Sequence, residues 1–348
     1  MNRERNQERT RQARDGVPTA DDPEPLRPTD DGPTTLARAS GAPHGPGAAA
    51  GNGPAGGRRP ALGDDCWFLS GPTASGKTAR ALGMARDLDA EIVSVDSMAV
   101  YRGLDVGTAK PSAEQRRVVP HHVIDVADPA ETYSVARWLG DAAAAVESCR
   151  ARGRRILFVG GTPLYLRALR DGLAELPPAD PEFRAALAVD AERLGGAALH
   201  ARLAAIDPAS AARIHANDVK RIVRALEVAH ATGRPLSAAF APAPHPVFET
   251  QVLILDVPRE TLRDRIDRRV ERMFVDGIVE ETAAALATPG GIGPTARQAA
   301  GYAEAIDLIE GRIDRAEAIR RTQLRTRQLA KRQLTWLRSF SGATWIPG

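Results

Sequence analysis

The sequence predicts an α/β fold in which a parallel sheet carries helices on both faces and a mainly helical subdomain is inserted into the sheet-forming core. Short continuous apolar runs alternate with helix-compatible stretches between residues 66 and 162, and another apolar run follows at residues 251–256. Such runs are typical of parallel strands that are buried on both faces. Between them, residues 177–246 are rich in Ala and Arg and end in a Pro-rich break. We therefore expect a core of residues 63–176 and 247–348, with residues 177–246 as the insert.

Residues 1–62 are predicted to form a disordered tail. The first 60 positions hold no Phe, Trp, Tyr, Ile or Cys, while Gly and Pro fill 18 of them. Such a segment cannot bury enough apolar surface to offset the entropy of ordering. It lacks the apolar segment of a secretory signal, and no run in the chain approaches the ~18 apolar residues that span a bilayer. We expect a cytoplasmic protein without a membrane span.

The net charge of +3 does not by itself indicate a nucleic-acid binder. The chain has two cysteines, Cys66 and Cys149, and both fall in sequence that is predicted to be core. They give neither a disulfide framework nor a zinc site.

A phosphate-binding loop follows the first apolar run. Residues 71–78 match the pattern G-x-x-x-x-G-K-[ST] in full, and the apolar run at residues 66–69 can form the strand before it. The helix predicted after the loop has apolar residues at Ala79, Leu82, Ala85 and Leu88. Backbone N–H groups of such a loop hold phosphate oxygens, Lys77 adds a positive charge, and the Thr78 hydroxyl can hold Mg²⁺. The chain is therefore predicted to handle a pyrophosphate or a nucleotide, with contacts from Gly71, Pro72, Thr73, Ala74, Ser75, Gly76, Lys77 and Thr78.

Two further polar positions follow predicted strands. The strand at residues 91–95 ends at Asp96, and the strand at residues 155–159 ends in a glycine turn with Thr162. An apolar segment around residues 122–126 and a helix from Ser134 to about Cys149 lie between them. Ligands of parallel sheets bind beyond the carboxyl ends of the strands, so the phosphate loop, Asp96 and Thr162 should meet at one edge. Phosphoryl-transfer enzymes usually show a strand ending in an acid that holds Mg²⁺. The strand at residues 155–159 ends instead in glycine, so Asp96 is the candidate for such a Mg²⁺ ligand.

Two predicted helices carry clusters of cations. One begins at Asn217 or Asp218 and ends at Gly233, with Lys220, Arg221 and Arg224 on one side and Ile222, Val223 and Leu226 on another. After Glu317 the chain has no acidic residue and seven cations, with Leu324, Leu329, Leu334 and Leu337 interleaved, which predicts a helix with one buried side. Either surface could bind phosphates of a nucleic acid or be an ordinary solvated face, and the residues alone leave this open.

Residues 94–111, Ser-Val-Asp-Ser-Met-Ala-Val-Tyr-Arg-Gly-Leu-Asp-Val-Gly-Thr-Ala-Lys-Pro, closely resemble the signature of the bacterial tRNA dimethylallyltransferases, also called tRNA isopentenyltransferases. Further blocks that match this family follow in order at residues 120–122, 125, 128–129, 160–165, 214–218, 224–227 and 328–333. The resemblance covers about residues 66–346.

The resemblance implies transfer of a dimethylallyl group from dimethylallyl diphosphate to the exocyclic amine of the adenosine immediately 3′ of a tRNA anticodon. It implies Mg²⁺ as cofactor, Asp96 as the general base and Thr162 beside the reacting base, and we expect a monomer. By resemblance, the anticodon stem-loop is held by Asp96, Ser97, Met98, Ala99, Thr162, Arg184, Lys220, Arg221, Ile222, Val223, Arg224, Lys331 and Arg332. Ala99 stands where many members carry a larger polar residue. Where some members have an arginine that touches the pyrophosphate, this chain has Gln298 with Arg297 one place earlier, and either could serve.

Three other functions compete with this one. A relative that prenylates free adenine nucleotides would share the phosphate loop and Asp96, but would have no use for the helical insert and the basic C-terminal stretch. A small-molecule kinase would turn over ATP. An RNA-binding protein with a regulatory nucleotide switch would bind tRNA and release no pyrophosphate.

Overall fold

The computed structural model describes residues 59–174, 176–239 and 252–348. In these residues six strands form one sheet in the order β3-β2-β4-β1-β5-β6, with every neighbouring pair parallel. The strands are β1 (Cys66–Ser70), β2 (Ala90–Ser94), β3 (His121–His122), β4 (Arg155–Val159), β5 (Val252–Asp256) and β6 (Thr344–Pro347). The predicted α/β class with a parallel sheet is confirmed.

Two strands differ from the expectation. Of the apolar segment at residues 122–126, only His122 lies in a strand, the two-residue β3, because Val123 and Asp125 have φ of 58° and 57° and so leave the extended conformation. The edge strand β6 was not predicted, since only Trp345 and Ile346 of its four residues form an apolar run. It pairs with β5 through Leu253 and Thr344.

Helices cover both faces of the sheet, as predicted. Helix α1 (Lys77–Asp87) packs on the face that carries Leu69 and Leu157, whereas α3 (Val135–Ala151) and α4 (Pro163–Asp171) pack on the face of Phe68 and Phe158. Consecutive strand residues point to opposite faces, which separates the two clusters. In α1 the predicted apolar side is partly wrong: Ala79 is exposed, and the buried residues are Ala81, Met84 and Ala85.

Among the described residues between α4 and β5 there are four helices and a 3₁₀ turn. They are α5 (Pro181–Leu194), α6 (Gly196–Ile206), α7 (Pro208–Ala211), α8 (Val219–Thr232) and the turn Leu236–Ala239. These helices share a hydrophobic cluster that includes Leu187, Leu203 and Leu226. Asp218 caps α8 by accepting the Arg221 N–H at 3.3 Å, and Gly233 ends it with φ of 66°. The predicted domain boundaries stay predictions, because the Pro-rich break lies outside the described residues.

The remaining helices are α2 (Ala113–Val118), α9 (Arg259–Val275), α10 (Ile278–Leu286), α11 (Tyr302–Ile309) and α12 (Arg315–Leu337). The predicted buried side of α12 is partly wrong: Leu337 is buried and Leu334 packs partly buried against the core, as expected, but the rest of the buried side is formed by other residues. Leu324 is 47% exposed, and the buried stripe is Ala318, Thr322, Thr326, Ala330, Gln333 and Leu337. Those residues recur every three or four positions and so stay on one side of a helix, whereas Leu324, Leu329 and Leu334 are five apart and do not.

The predicted N-terminal tail lies outside the described residues except for residues 59–62. None of the helices in the described part of the chain has the length and apolarity to cross a membrane.

Candidate functional site

The phosphate-binding loop joins β1 to α1, as the motif predicts. Ala74 and Gly76 lie in the left-handed region, with φ of 62° and 90°, so the backbone is folded into a conformation that non-glycine residues rarely adopt. The first N–H groups of α1 have no partner within the helix and are available to an anion. The Ser75 hydroxyl is buried and has no hydrogen-bond partner among the described residues. The Lys77 ammonium lies across the loop and donates to the carbonyl oxygens of Gly71 and Pro72 at 2.9 and 2.7 Å.

Two half-buried cations, Lys77 and Arg269, lie at this loop. Arg269 comes from α9 and donates to the Thr73 hydroxyl at 3.2 Å. Burial lowers the pKa of Lys77 to about 8; the charge of Asp96 opposes this shift and that of Arg269 adds to it. Burial also lowers the pKa of Arg269, again opposed by Asp96. Neither cation has an ion-pair partner within the described ranges. A polyanion that binds at the loop would neutralise both positive charges.

Asp96 and Thr162 lie side by side beyond the ends of β2 and β4. Oδ1 of Asp96 accepts the N–H groups of Met98 and Ala99 at 2.8 and 3.4 Å. The Thr162 hydroxyl accepts the N–H of Ser97 at 3.0 Å. The second carboxylate oxygen of Asp96 has no hydrogen-bond partner in the part of the chain that is described, so it is free to accept a proton or bind a cation.

Glycine and glutamine hold these two loops against each other. A Cβ on Gly160 would lie 2.2 Å from the carbonyl oxygen of Val95, so only glycine fits there. Gln333, on the buried side of α12, accepts the Thr73 N–H at 2.8 Å and donates to the Gly161 carbonyl oxygen at 2.7 Å. One side chain thus bridges the phosphate loop and the turn that carries Thr162.

One cavity collects several of these groups. Lys77, Thr78, Asp96, Ala99 and Gly160 line it, together with a second loop that supplies Thr108, Ala109, Lys110 and Pro111. Its apolar lining comes from Ala81, Ile92, Ile124 and Val159. The Thr78 hydroxyl and the Asp96 carboxylate provide oxygen donors of the kind that Mg²⁺ prefers. Met98 packs partly buried against the core and Ala99 is 5% exposed, so little of either side chain is open to a macromolecule.

The predicted tRNA contacts on α5 and α8 divide into two groups. Lys220 and Arg221 are exposed. Arg184 and Arg224 instead bind the buried carboxylate of Glu227, Arg184 through both oxygens at 2.7 and 3.0 Å. Burial opposes ionisation of Glu227, but these two arginines outweigh it and hold its pKa at about 2.

Two apolar residues of α8 were also predicted to contact tRNA. The prediction is wrong for the side chain of Ile222, which is fully buried in the cluster shared by α5–α8. Val223 packs partly buried against the same cluster.

The C-terminal helix presents the other predicted basic surface. Lys331 and Arg332 are exposed and line a shallow groove with Gln328, Thr335 and Trp336. Arg167 of α4 lies over the Trp336 ring, 5.9 Å from its centroid. Gln333 lies between the groove residues in the sequence but is on the buried side of the same helix, α12.

Arg297 and Gln298, the alternative pyrophosphate contacts, lie in the short 3₁₀ turn Ala296–Gln298 and are both exposed. The Gln298 amide donates to the Pro294 carbonyl oxygen at 3.2 Å. Neither side chain has a hydrogen bond to the phosphate loop among the described residues, and the choice between them stays open.

One group of metal-ligand type lies away from the cavity. Glu91, His122 and Cys149 have ligand atoms within 4.8 Å of one another, the only such trio in the described ranges. The Glu91 carboxylate already binds Arg152 at 2.6 Å and His122 at 2.6 Å, and these bonds hold the pKa of Glu91 at about 2. Both cysteines are free and buried. The cluster is therefore explained as a charge-compensated buried carboxylate.

Sequence reasoning missed Arg269 and Gln333. Arg269 is one of many arginines in α9, and no local pattern separates it from its neighbours. Gln333 falls in one of the matching blocks, at residues 328–333, but its polarity favoured a solvent position. A glutamine in line with Ala318, Thr322, Thr326 and Ala330 on one helical side was the available signal.

Comparisons with known proteins agree with this geometry. The model of the IPP transferase family matches residues 99–340, and that of the isopentenyl transferases matches residues 65–120. The chain is 50% identical over 280 residues to the tRNA dimethylallyltransferase of Anaeromyxobacter dehalogenans (strain 2CP-C), covering 80% of this chain and 93% of the relative. It is 47% identical over 285 residues to that of Stenotrophomonas maltophilia (strain R551-3), covering 79% and 90%.

Solved structures are similar as well. The tRNA isopentenylpyrophosphate transferase of Bacillus halodurans matches with a TM-score of 0.58 and 38% identity, over 81% of this chain and 89% of that one. A eukaryotic dimethylallyltransferase acting on tRNA matches with a TM-score of 0.66 and 27% identity, over 78% and 69% of the two chains.

Proposed function

The chain belongs to the IPP transferase family, and we propose that it modifies tRNA by transferring a dimethylallyl group from dimethylallyl diphosphate to the N6 amine of the adenosine 3′-adjacent to the anticodon. The observation that carries this proposal is that two cations, Lys77 and Arg269, which form no ion pair among the described residues, lie in one site with the carboxylate of Asp96. The cations suit a diphosphate leaving group, and the carboxylate suits proton removal from the acceptor.

The leaving group is held by the phosphate loop. In the reaction the N6 nitrogen forms a bond to C1 of the dimethylallyl group while the bond from C1 to the diphosphate oxygen breaks. Negative charge grows on the pyrophosphate as it leaves. Lys77, Arg269 and the N-terminal N–H groups of α1 stabilise that charge where it develops. The apolar lining from Ile92, Ile124 and Val159 suits the hydrocarbon group.

Asp96 takes the proton of the attacking amine. The N6 lone pair is delocalised into the adenine ring, which makes the amine a weak nucleophile, so a positioned base assists as the bond forms. Two backbone N–H groups fix one oxygen of Asp96 and leave the other for this task. Thr162, oriented by Ser97, lies next to it and can hydrogen-bond the base. The adenosine must leave its stack to reach the site.

Mg²⁺ fits the same site, since Thr78 and the diphosphate provide oxygen ligands. When bound it would offset part of the diphosphate charge. We propose Thr78 as its protein ligand, with Asp96 acting as the base.

The anticodon arm is proposed to lie on the exposed cations Lys331, Arg332, Lys220 and Arg221, which can contact its phosphates. We further propose that the chain acts in the cytoplasm as a monomer.

The test is incubation of the full chain with undermodified tRNA, Mg²⁺ and labelled dimethylallyl diphosphate, followed by nucleoside analysis. We expect one prenylated adenosine per tRNA and one pyrophosphate released for each. Parallel reactions contain AMP as the acceptor, or ATP with a panel of small acceptors. Label on AMP in preference to tRNA would identify a nucleotide prenyltransferase, and ATP turnover would identify a kinase. Binding of tRNA without pyrophosphate release would refute catalysis.

A further inference from the structure

The Glu281 carboxylate is surrounded by backbone N–H groups of a distant loop. Its Oε2 accepts the N–H groups of Asp105 and Val106 at 2.7 and 2.8 Å, and its Oε1 accepts the Gly107 N–H at 3.3 Å. Oε1 also accepts the hydroxyl of Tyr302 at 2.7 Å. Three successive N–H groups that converge on one anion form a nest, a geometry that binds carboxylates and phosphates. Here the anion is a side chain of α10, which lies far along the chain from the loop.

The loop rests directly on the Tyr302 ring. A Cβ added to Gly107 would lie 2.4–2.7 Å from the Cε2, Cζ and hydroxyl oxygen atoms of Tyr302. The backbone is therefore so close to the tyrosine that only glycine fits at position 107. Tyr302 itself is fully buried. The Glu281 carboxylate and the Tyr302 ring therefore fix residues 105–107 from two directions.

The clamped segment continues into the wall of the reaction cavity. Thr108, Ala109, Lys110 and Pro111 line the cavity that also contains Lys77, Thr78 and Asp96. The Lys110 side chain is 1% exposed and binds the carboxylates of Asp105 and Asp125 at 2.7 and 2.6 Å. Asp105 is thus held at both ends, its N–H by Glu281 and its side chain by Lys110. Movement of the clamp would displace this part of the wall relative to the phosphate loop.

We propose that Glu281 is a positioning residue that sets the distance between the 105–111 loop and the phosphate loop, with Tyr302 as its support. Glu281 does not line the cavity, so it acts through the loop and touches no reacting atom. The inference rests on the proposed dimethylallyl transfer, because it assigns the cavity as the reaction site. A misplacement of about 1 Å at such a site lowers rates by about a hundredfold.

Glu281→Ala removes the anion and leaves three N–H groups and a hydroxyl facing a space the size of a small carboxylate. We expect the turnover number to fall by about 10- to 100-fold, with little change in tRNA affinity, because the basic surface on α12 is separate. Added formate or acetate should enter the nest and restore much of the rate. Glu281→Gln should be milder, since its amide can donate to the Tyr302 oxygen and only the Gly107 N–H then loses its acceptor. The matched control is Glu280→Ala, the exposed neighbour on the same helix.

A readout independent of catalysis is hydrogen exchange of the amides of residues 105–107. They should lose protection in Glu281→Ala and regain it with formate, while the Glu280→Ala variant should keep it. If wild type fails to prenylate tRNA, the proposed function fails, and the exchange experiment still tests the clamp. The positioning role is overturned if Glu281→Ala has wild-type turnover, or if formate restores amide protection without restoring the rate. Unchanged exchange in Glu281→Ala would overturn the clamp itself.

Discussion

Asp96→Asn is expected to remove most of the turnover and leave the fold intact. Oδ1 of Asp96 accepts the Met98 and Ala99 N–H groups, and the asparagine carbonyl oxygen can accept both in the same conformation. The atom that changes is the second oxygen, which becomes an amide nitrogen and can no longer take a proton. The substitution therefore removes one chemical capacity from an otherwise unchanged turn.

The expected loss is about 10²- to 10⁴-fold, the usual contribution of a general base, or about 2.7–5.4 kcal/mol in the activation barrier. A second effect must be kept apart from it. The charge of Asp96 raises the pKa of Lys77 against burial, so in the variant that pKa falls further below about 8. Rates are therefore compared near pH ~6.5, more than a unit below the wild-type value, where the Lys77 ammonium stays protonated more fully.

The assay is single-turnover transfer of labelled dimethylallyl groups to undermodified tRNA, with pyrophosphate affinity measured by calorimetry. Asp87→Asn, an exposed carboxylate at the end of α1, is the control. At this pH we expect pyrophosphate affinity close to wild type, because Lys77 keeps its charge and the phosphate loop is untouched. A Mg²⁺ titration separates the two roles of Asp96. Recovery of much of the rate by excess Mg²⁺ would show that Asp96 is a metal ligand and would refute the general-base assignment.

Three further outcomes are expected. Replacing Lys331 and Arg332 together by uncharged residues should reduce the slope of log tRNA affinity against log salt by about 0.9 for each contact with a duplex phosphate that is lost. Pyrophosphate affinity should not change. An unaltered slope would show that these two cations are only solvated and do not contact tRNA. Pyrophosphate affinity should fall as pH rises above about 8, because Lys77 has a lowered pKa and its ammonium loses its proton there. Lys77→Arg should remove this decline, because the guanidinium stays charged. A wild-type affinity that does not change up to pH ~10 would contradict the prediction. Removal of residues 1–58 should leave turnover within about twofold, or ~0.4 kcal/mol, and a hundredfold loss would give the tail a part in catalysis or tRNA binding.

The sequence predicted the parts of the fold that depend on local pattern. The phosphate-loop motif located β1 and α1, and continuous apolar runs located β2, β4 and β5. The segment predicted around β3 was too long, because the sequence does not reveal the positive φ of Val123 and Asp125. The side of α12 that is buried was misread because it includes Thr322, Thr326 and Gln333, whose hydroxyls and amide find partners inside.

The sequence predicted those site residues that directly follow neighbouring strands of the sheet. Asp96 and Thr162 follow strands whose carboxyl ends meet, and they lie together as expected. Arg269 and Gln333 reach the phosphate loop from 196 and 260 positions away, and no local signal encodes such contacts. Ile222 was assigned to tRNA by resemblance to the family, although its helical position is on the buried side.

The end of β4 helps to explain how a phosphate loop can serve a leaving group in the proposed reaction. Phosphoryl-transfer enzymes usually place a Mg²⁺-binding acid at a strand end beside this loop, but β4 is followed by Gly160. The absence of a Cβ there lets the backbone pass within contact of Val95, so that the Thr162 N–H reaches the Val95 carbonyl oxygen at 3.1 Å. Any side chain at position 160 would push these strand ends apart and separate Thr162 from Ser97. The carboxylate of this edge must then come from the turn after β2, where Asp96 lies beside Thr162. In the proposed reaction, Asp96 takes a proton from the N6 amine of the adenine.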